Sequence, residues 1–584
     1  MVVQPLGMIL PSTALTHYQS LDELVHAELA KATMGLSPIS LTLAYMDWAM
    51  HLGASPAKQM ALGQLALKLS QDTAAQQLNI HTDISPFAKD SRFENMAWAN
   101  WPFKLLKDGY QANETWWDES TKVMGVSKHH EHVMRFFTRQ WLDAISPSNW
   151  ALSNPEVLAN ITATGGQSMI KGIQQYVEDL KKASTQSLDA GEESTQPLPY
   201  EVGKDVAITP GKVVYKNNLI ELIQYAPATV RVRPEPLLII PSCIMKYYIL
   251  DLSPHNSMVK YLVNEGFTVF MVSWRNPDTE DRDLGMRDYI QLGLLDAIDA
   301  VQSVSKTHRL HAMGYCLGGT FLSIAAAVLS RNKNASPLAS VTLLAAQTDF
   351  SEPGELGVFI DDDQLLTLRE EMAKTGYLSG KQMAASFQFL NSRDLIWSRN
   401  TQRYLFGREE VGNDMVSWNK DTTRVPARMH NEYLDSLFLN NSLSEGHYRV
   451  DGKAVDLMDI EQPLMVVGTL RDHISPWKSV FKIHSKTDTE TCFILAAGGH
   501  NAGIISEPGH PHRSYQINSL SKGHTWIDPD DWLTTTPTTE GSWWPAWSRW
   551  LKQHSSASVK AKGIANEHTL PDAPGQYVRV RYND

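Results

Sequence analysis

The chain has 584 residues, of which 42% are hydrophobic and 20% are charged, and its formal net charge is −12. This balance is typical of a globular protein with sizeable cores, and it argues against a nucleic-acid partner, which usually leaves a basic footprint. The three cysteines, Cys243, Cys316 and Cys492, exclude a disulfide framework, lack the spacing of a zinc site and fit a reducing cytoplasm. No signal peptide or transmembrane segment is expected, because the chain lacks both a basic start before a long apolar core and any apolar run of about 18 residues.

The first 200 residues predict two helical regions. In residues 1–85, the stretches "LDELVHAELAKATM" and "PAKQMALGQLALKLS" place apolar residues at helical spacing. A Trp-rich helical region follows in residues 86–200. It ends in a polar segment, Ala183–Pro199, whose Pro, Gly and Ser content is typical of a linker or mobile loop.

Three histidines share one predicted helix of the second region. They are His129, His130 and His132, within "KHHEHVMRF". Imidazole is a common metal ligand, so a metal site is one interpretation. An exposed polar helix face is the other interpretation, and we favour it.

The pattern changes in residues 201–584, where short, continuous apolar runs recur. Such runs are typical of strands buried on both faces. Helical stretches such as "SMVKYLVNEG" and "YIQLGLLDAIDAVQSVS" separate some of them, which predicts an α/β domain with a mostly parallel sheet. The alternation stops at about 350–462, which predicts a large insertion between two strands. The predicted strands are Pro236–Ser242, Phe267–Trp274, Arg309–Tyr315, Ala339–Gln347, Pro463–Thr469 and Thr491–Ala497.

A glycine-flanked cysteine stands where one of these strands meets a helix. The stretch "GYCLG", Gly314 to Gly318, has the G-x-nucleophile-x-G pattern of a nucleophile elbow, with Cys316 as the nucleophile. The glycines suit this turn because it is tight and crowded by backbone. A helix N-terminus favours a thiolate, and the N–H of Leu317 would supply half of an oxyanion hole. A buried structural cysteine in a Gly-rich turn is the alternative.

In an α/β-hydrolase fold, the acid and the histidine follow the nucleophile in that order, each after a late strand. Asp472 follows the predicted strand "PLMVVGT", and His500 follows "TCFILAA" in a glycine-rich loop. Three rivals exist, namely His473, Asp349 and Asp421. Position relative to the strands favours Asp472 and His500.

Cysteine at the elbow favours acyl transfer but does not exclude hydrolysis. Exchange of one thioester for another is roughly isoenergetic, so a cysteine can accept an acyl group from coenzyme A and keep it activated for a second acceptor. The insertion at 350–462 lies between Cys316 and Asp472 in the sequence. Its position predicts a cap over the site that admits substrate.

From about Asp90 to its end, the chain resembles the polyhydroxyalkanoate synthases, most closely the single-subunit, class I-like type that uses short 3-hydroxyacyl groups. Many matching motifs in one order carry the resemblance. They are "DAISPSNWALSNPEVL", "ATVRVRPEPLLIIPSCIMKYYILDLSPHNSMVKYLV", "FTVFMVSWRNPD", "MGYCLGGT", "LIWS", "VSWNKDTTRVPARMHNEYL", "GTLRDHISPW" and "EGSWWPAW".

The resemblance implies a catalytic triad of Cys316, Asp472 and His500, with a second oxyanion donor near Cys243 or Ile244. It implies an acyltransferase that polymerises (R)-3-hydroxyacyl-CoA onto the hydroxyl end of a growing polyester through an acyl-cysteine thioester, with release of coenzyme A. A homodimer at the surface of cytoplasmic polymer granules, with granule-associated proteins as possible partners, is the further implication. No metal or redox cofactor is implied. The expected architecture is an α/β-hydrolase fold with a cap insertion, preceded by a mainly helical N-terminal domain.

Three residues depart from the family pattern. Ser242 and Met245 differ near the expected second oxyanion donor, and Asn501 replaces an apolar residue beside the expected catalytic histidine. These changes leave the triad whole and bear on chain-length preference and polymerising efficiency. The alternative function is a thioesterase or polyester depolymerase on the same fold, and a non-catalytic granule-binding protein is a second rival.

The tail "SWWPAWSRWL" predicts a helix with one aromatic face. Trp543, Trp547 and Trp550 have the spacing i, i+4, i+7. A helix docked on the catalytic domain is the favoured interpretation, and a polymer-facing surface is the alternative.

Overall fold

The computed structural model describes residues 37–77, 90–188, 199–331, 336–380, 383, 389–390, 392–409, 412–564 and 570–581. The predicted helix in "LDELVHAELAKATM" and most of the predicted linker lie outside these residues. Among the residues that are described, no helix has both the length and the apolar character to cross a membrane.

Helices dominate the N-terminal part, as the sequence predicts. Side chains of Ser127 and Asn154 accept hydrogen bonds from the first turns of two of them, which explains where those helices begin. The last helix runs to Leu188, so it continues into the segment predicted as a linker from Ala183. The helices are α1 (Pro38–Gly53), α2 (Pro56–Gln77), α3 (Phe103–Thr121), α4 (Lys128–Ile145), α5 (Pro155–Ala163) and α6 (Gln167–Leu188).

A ten-stranded sheet organises the rest of the described chain, in the order β1-β2-β4-β3-β5-β6-β7-β8-β9-β10. The six central strands, β4-β3-β5-β6-β7-β8, run parallel, and antiparallel pairs flank them at both edges. The strands are β1 (Gly211–Lys216), β2 (Ile220–Tyr225), β3 (Leu237–Ile240), β4 (Val269–Trp274), β5 (Leu310–Tyr315), β6 (Leu338–Leu344), β7 (Leu464–Thr469), β8 (Thr491–Ala496), β9 (Ser514–Leu520) and β10 (Thr538–Glu540).

All six predicted strands are present as the central parallel strands, and each is buried along its whole length. Successive side chains enter opposite cores: Leu237 and Ile239 pack on one face, and Leu238 and Ile240 pack on the other. The four flanking strands were not predicted, because none has a continuous apolar run. Strands β1, β9 and β10 are partly or fully exposed, and β2 is buried but carries Glu221 and Gln224.

Helices cover both faces of the sheet and fill the connection between β6 and β7. Among its described residues, that connection, 345–463, contains helices at Asp362–Thr375, Asp414–Lys420 and Ala427–Tyr433, together with π-helical turns at Arg393–Ser398, Thr401–Leu405 and Leu434–Leu439. A π-helical turn, Tyr289–Leu295, also leads into the helix before β5. The helices after β3 are α7 (Met258–Asn264), α8 (Asp296–Ser305), α9 (Leu317–Ser330), α10 (Asp362–Thr375), α11 (Asp414–Lys420), α12 (Ala427–Tyr433), α13 (Trp477–Phe481), α14 (Pro529–Thr535) and α15 (Trp544–Gln553).

The tryptophan-rich helix α15 docks on the sheet, as its favoured interpretation predicts. Trp543, Trp547 and Trp550 are all buried. The indole N–H of Trp547 donates to the hydroxyl of Thr342 in β6 at 3.1 Å, and that of Trp543 donates to the carbonyl of Gly503 at 3.0 Å. The aromatic face is therefore part of the core and does not form a polymer-facing surface.

The three histidines of α4 do not form an exposed polar face, so the favoured interpretation of "KHHEHVMRF" is wrong. His129 lies 3.2 Å from Asp361, and His130 lies 2.6 Å from Asp47. His132 lies 3.7 Å from Glu355. Each imidazole faces a different carboxylate because α4 lies between α1 and the segment after β6, and no cluster of metal-binding side chains occurs among the described residues.

Candidate active site

Cys316 sits in a strained turn between β5 and α9. Its φ is 53° and its ψ is −126°, a backbone conformation that costs free energy for a residue with a side chain. Its N–H donates to the carbonyl of Leu344 at 2.9 Å, and its carbonyl accepts from Gly319 at 2.9 Å. These bonds hold the turn so that Cys316 caps the N-terminus of α9, where the helix dipole favours negative charge.

The glycines of the elbow are required by close packing of backbone on backbone. A Cβ on Gly314 would lie 2.4 Å from the Cα of Gly319, and a Cβ on Gly318 would lie 2.4 Å from the carbonyl oxygen of Ile240. The same Cβ would lie 2.5 Å from the carbonyl oxygen of Pro241. The elbow therefore packs directly on the loop that follows β3.

Asp472 and His500 follow β7 and β8 and meet at the same end of the sheet as Cys316. The Oδ2 of Asp472 lies 2.9 Å from the Nδ1 of His500. The side chain of Cys316 lies close enough to His500 to raise the pKa of the imidazole, so the three side chains meet at one site. The sequence-predicted acid and histidine are thus brought to the predicted nucleophile.

The hydrogen bonds of the Asp472 carboxylate fix its orientation. Oδ1 accepts from the N–H of Ile474 at 2.9 Å and of Ser475 at 2.8 Å, and Oδ2 accepts from the hydroxyl of Thr469 at 2.7 Å. Burial alone would raise the pKa of Asp472, but the charge and hydrogen bond of His500 and the N–H of Ser475 lower it. The carboxylate is therefore ionised beside the imidazole.

The imidazole of His500 is held between two groups that favour its cation. Burial alone would lower the pKa of His500, but the charges of Asp472 and Cys316, with hydrogen bonds to both, raise it well above its ordinary value. Only 10% of the His500 side chain is exposed. This arrangement favours the imidazolium form of His500.

The residues predicted to donate to the oxyanion lie at the elbow and in the loop after β3. Leu317 begins α9, and Cys243 and Ile244 lie in the loop that packs on the elbow. Within the described part of the chain, the N–H groups of Leu317 and Ile244 have no protein acceptor. Burial raises the pKa of Cys243 well above its usual range, so this second thiol stays protonated.

Residues from the β6–β7 connection reach over this loop. Thr422 pairs with Met245 as an antiparallel bridge, and the indole N–H of Trp418 donates to the carbonyl of Lys246 at 2.7 Å. The hydroxyl of Thr423 donates to the carbonyl of Cys243 at 3.4 Å. The connection is therefore attached to the segment that carries the candidate oxyanion donors.

Tyr433, which ends helix α12 in the same connection, is a site residue that sequence reasoning missed. Burial raises the pKa of Tyr433 well above its ordinary value, and the charges of Cys316 and Cys243 add to this. The centroid of its ring lies 6.3 Å from that of Phe350 and 5.2 Å from that of Phe438. The motif "HNEYL" holds Tyr433, but its place near Cys316 and Cys243 depends on how the connection packs.

The rival acid and histidine residues lie elsewhere. Asp349 accepts hydrogen bonds from the hydroxyls of Ser351 and Ser444, and these bonds help to lower its pKa to about 2, against burial. Asp421 accepts from the hydroxyl of Tyr248 at 3.0 Å. The His473 side chain belongs to an exposed residue. Among the described carboxylates, the one bonded to His500 is that of Asp472.

Comparison with known families identifies both parts of the chain. Residues 89–262 match a model described as the N-terminus of poly-beta-hydroxybutyrate polymerase (PhaC), and residues 16–58 match one described as poly-beta-hydroxybutyrate polymerase N terminal. Residues 236–506 match the alpha/beta hydrolase fold. The predicted fold class, an α/β-hydrolase fold with a helical N-terminal region, is confirmed.

Two curated relatives are similar over most of their length. A poly(3-hydroxyalkanoate) polymerase of Methylorubrum extorquens is 34% identical over 582 residues, which cover 98% of this chain and 93% of the relative. The poly(3-hydroxyalkanoate) polymerase subunit PhaC of Cupriavidus necator is 36% identical over 503 residues, which cover 84% of this chain and 83% of the relative. Among solved structures, a monoacylglycerol lipase of Paleococcus ferrophilus is 12% identical with a TM-score of 0.32, covering 57% of this chain and 100% of the lipase.

Proposed function

The chain belongs to the poly(3-hydroxyalkanoate) polymerases, and from this premise we propose that it works through a covalent acyl-enzyme formed on Cys316. It is an acyltransferase that polymerises 3-hydroxyacyl groups, and hydrolysis on the same fold is the less favoured alternative. One observation carries the proposal of mechanism: at a nucleophile elbow, Asp472 hydrogen-bonds His500, and the nearby Cys316 helps to raise the pKa of that histidine.

The first half-reaction loads the enzyme. His500 takes the proton of Cys316, and the thiolate attacks the carbonyl carbon of (R)-3-hydroxyacyl-CoA. The N–H of Leu317 and an N–H of Cys243 or Ile244 hold the oxyanion. The carbon–sulfur bond to coenzyme A breaks, His500 protonates the departing thiolate, and the acyl group remains as a thioester on Cys316.

The second half-reaction extends the polymer. The hydroxyl end of the polyester gives its proton to His500 and attacks the thioester, so a carbon–oxygen bond forms as the carbon–sulfur bond to Cys316 breaks. Asp472 orients His500 and stabilises its cation. The hydrogen bonds of Asp472 hold its carboxylate facing His500, which supports this role over direct activation of the hydroxyl.

Residues 350–462 are proposed to act as a cap. The bridge between Thr422 and Met245 and the position of Tyr433 support this, because both attach the connection to the site. We further propose domain limits at 1–85, 86–200 and 201–584.

A homodimer at the surface of cytoplasmic polymer granules is the setting that we propose. The N-terminal helices support contact with polymer, because Ile170, Ile173 and Leu180 of α6 are exposed apolar side chains. Sedimentation velocity tests the dimer. Fractionation of polymer-accumulating cells tests the granule, and recovery of the protein away from the granules would contradict this setting.

The decisive experiment uses purified protein and (R)-3-hydroxybutyryl-CoA. Free thiol release is followed, the product is sized by chromatography, and the intact protein is weighed by mass spectrometry. High-mass polyester and an acyl adduct on the Cys316 peptide are expected. Free 3-hydroxybutyrate alone would mean that water is the acceptor and that the protein is a hydrolase.

Two cysteine variants separate the nucleophile from a structural thiol. Cys316→Ala is expected to abolish coenzyme A release and the acyl adduct. The matched control is Cys492→Ala, which removes a buried thiol of β8 and is expected to keep release within about threefold, since its cost falls on packing. Turnover by Cys316→Ala at the wild-type rate would overturn the assignment.

A further inference from the structure

Tyr315, the residue before the proposed nucleophile, lies against the proposed catalytic histidine. The ring of Tyr315 stacks on the imidazole of His500, with centroids 5.5 Å apart and planes inclined by 30°. Tyr315 ends β5 and is only 2% exposed, so the backbone of the sheet fixes where its ring begins. The aromatic face thus covers one face of the imidazole.

The hydroxyl of Tyr315 is held by the residue after the histidine. It donates to the Oδ1 of Asn501 at 2.5 Å. Burial raises the pKa of Tyr315 well above its ordinary value, so the phenol keeps its proton and remains a donor. The side chain is therefore fixed at both ends. Strand β5 holds its Cα, and Asn501 holds its hydroxyl oxygen.

Asn501, which carries the acceptor, is itself held in place. Its backbone carbonyl accepts from the N–H groups of Ile504 at 3.1 Å and Ile505 at 2.9 Å, which closes a turn after His500. The indoles of Trp543 and Trp544 donate to the carbonyls of Gly503 and Ile504 at 3.0 Å each. Helix α15 therefore anchors the histidine loop to the sheet.

The bond from Asp472 leaves one motion of the imidazole free. A single hydrogen bond to Nδ1 allows the ring to rock about the line that joins it to the carboxylate. A stacked ring on one face stops that rocking, and its electron-rich face also stabilises an imidazolium. Both effects act on the ring nitrogen that exchanges a proton with Cys316.

We propose that Tyr315 and Asn501 form a clamp that sets the plane of the His500 imidazole, so that both are positioning residues for acyl transfer. The clamp rests on the proposed triad, and it deepens that proposal by naming what orients the histidine besides Asp472. Neither residue touches the reacting atoms in this role. Tyr315 contacts the imidazole, and Asn501 acts only through Tyr315.

Three variants test the clamp by steady-state coenzyme A release. Asn501→Leu keeps the branched shape of the side chain but leaves the buried phenol without its acceptor. We expect its kcat to fall about tenfold to a hundredfold, with KM within about twofold, because a displaced catalytic group slows chemistry more than binding. Tyr315→Phe removes the hydroxyl and is expected to lower kcat by less than about tenfold.

The double variant Tyr315→Phe, Asn501→Leu gives the most discriminating test. It has neither the donor nor the acceptor, so no buried polar group is left unpaired, and we expect its kcat to recover to that of Tyr315→Phe. Independent roles for the two residues would instead multiply the two losses, and that result would overturn the clamp.

The matched control is Tyr110→Phe in helix α3. It also removes a buried phenol hydrogen bond, here to the carbonyl of Leu142 at 3.0 Å, but it lies in the N-terminal helices. It is expected to lower the melting temperature without changing kcat. A fall in kcat as large as that of Tyr315→Phe would show that the loss reflects stability alone and would overturn the proposal.

A second readout distinguishes failure of the clamp from failure of the triad. The rate of Cys316 alkylation by iodoacetamide is measured against pH, with the modified peptide identified by mass. His500→Ala is expected to move the alkylation midpoint upward, because the imidazolium no longer supports the thiolate. Asn501→Leu is expected to move it in the same direction by about half a unit.

Two outcomes contradict the clamp in different ways. If His500→Ala shifts the midpoint and Asn501→Leu does not, the triad stands and the clamp is wrong. If His500→Ala leaves the midpoint unchanged, the pairing of Cys316 with His500 is wrong and the clamp falls with it.

Discussion

Strand β5 and helix α4 are held in place by different chemistry. Every residue of β5 is buried within the sheet, and its neighbours are mostly apolar. Helix α4 meets its neighbours through titratable side chains: His130 faces Asp47 of α1, and Arg139 lies 3.0 Å from Glu355 of the β6–β7 connection. Apolar burial responds little to pH or salt, whereas ion pairs respond to both.

This difference bears on the site because Glu355, which pairs with α4, also contacts the loop that carries the proposed acid. The N–H of Glu355 donates to the carbonyl of His473 at 3.1 Å, one residue after Asp472. The side chain of Glu355 is the one that pairs with Arg139 and His132. The pH-sensitive contact of α4 thus ends at the loop that carries Asp472. Three experiments test this difference.

The largest effect is expected within the triad, at the end of the sheet. Asp472→Asn keeps the volume of the side chain but loses the charge that raises the pKa of His500. We expect coenzyme A release to fall by about a thousandfold or more, because the histidine loses its preferred tautomer and the support of its cation. Steady-state kinetics at pH 7 measure this.

Asp349→Asn provides the control for that loss. Asp349 is also a carboxylate with hydroxyl partners, but those partners are Ser351 and Ser444. Its substitution is expected to keep activity within about threefold, since polar changes away from the reacting atoms mainly alter stability. Equal losses in the two variants would contradict the assignment of Asp472.

A matched pair of glycine substitutions compares the elbow that follows β5 with α2, a helix of the N-terminal part. A Cβ on Gly318 would lie 2.4 Å from the backbone oxygen of Ile240, whereas a Cβ on Gly63 of α2 meets nothing within 4 Å. Gly318→Ala is expected to move the elbow, with destabilisation of about 1–3 kcal/mol and little remaining activity. Gly63→Ala is expected to stabilise the protein by up to about 1 kcal/mol, since alanine favours a helix. Thermal unfolding measures both, and tolerance of Gly318→Ala would contradict the tight packing of the elbow.

The smallest effect is expected at the contact of α4, and it depends on pH. Burial alone would raise the pKa of Glu355, but His132 and Arg139 lower it to about 2 from its ordinary value of 4.5. The ionised carboxylate therefore stabilises the folded state above about pH 4.5, and this stability is lost as the pH falls towards 2. Glu355→Gln should lower the apparent urea midpoint at pH 7 by the equivalent of about 1 kcal/mol.

The difference between wild type and Glu355→Gln is expected to shrink as the pH falls from 4.5 to 3.5. Tryptophan fluorescence follows the unfolding, since Trp141 lies on α4. A difference that stays constant over this range would show that the charge of Glu355 does not hold the contact.

The central sheet and the order of the candidate triad could both be predicted from the sequence. Continuous apolar runs are typical of strands buried on both faces, so all six parallel strands could be predicted from the sequence pattern. The elbow was equally predictable, because Gly314 and Gly318 are the residues that such a crowded turn tolerates. Once the strand order is parallel, Asp472 and His500 follow strands that end on the same edge as Cys316.

The contacts between polar side chains of distant segments could be found only from the tertiary structure. Tyr315 and Asn501 are 186 residues apart in the chain, and His129 and Asp361 are 232 apart. No local period links such positions. The first contact depends on how the loop after β8 packs against β5, and the second depends on which surfaces the insertion and the helical region present to each other. The histidines of α4 illustrate the point: their spacing defines one helix face, and the carboxylates that pack on that face decide what it does.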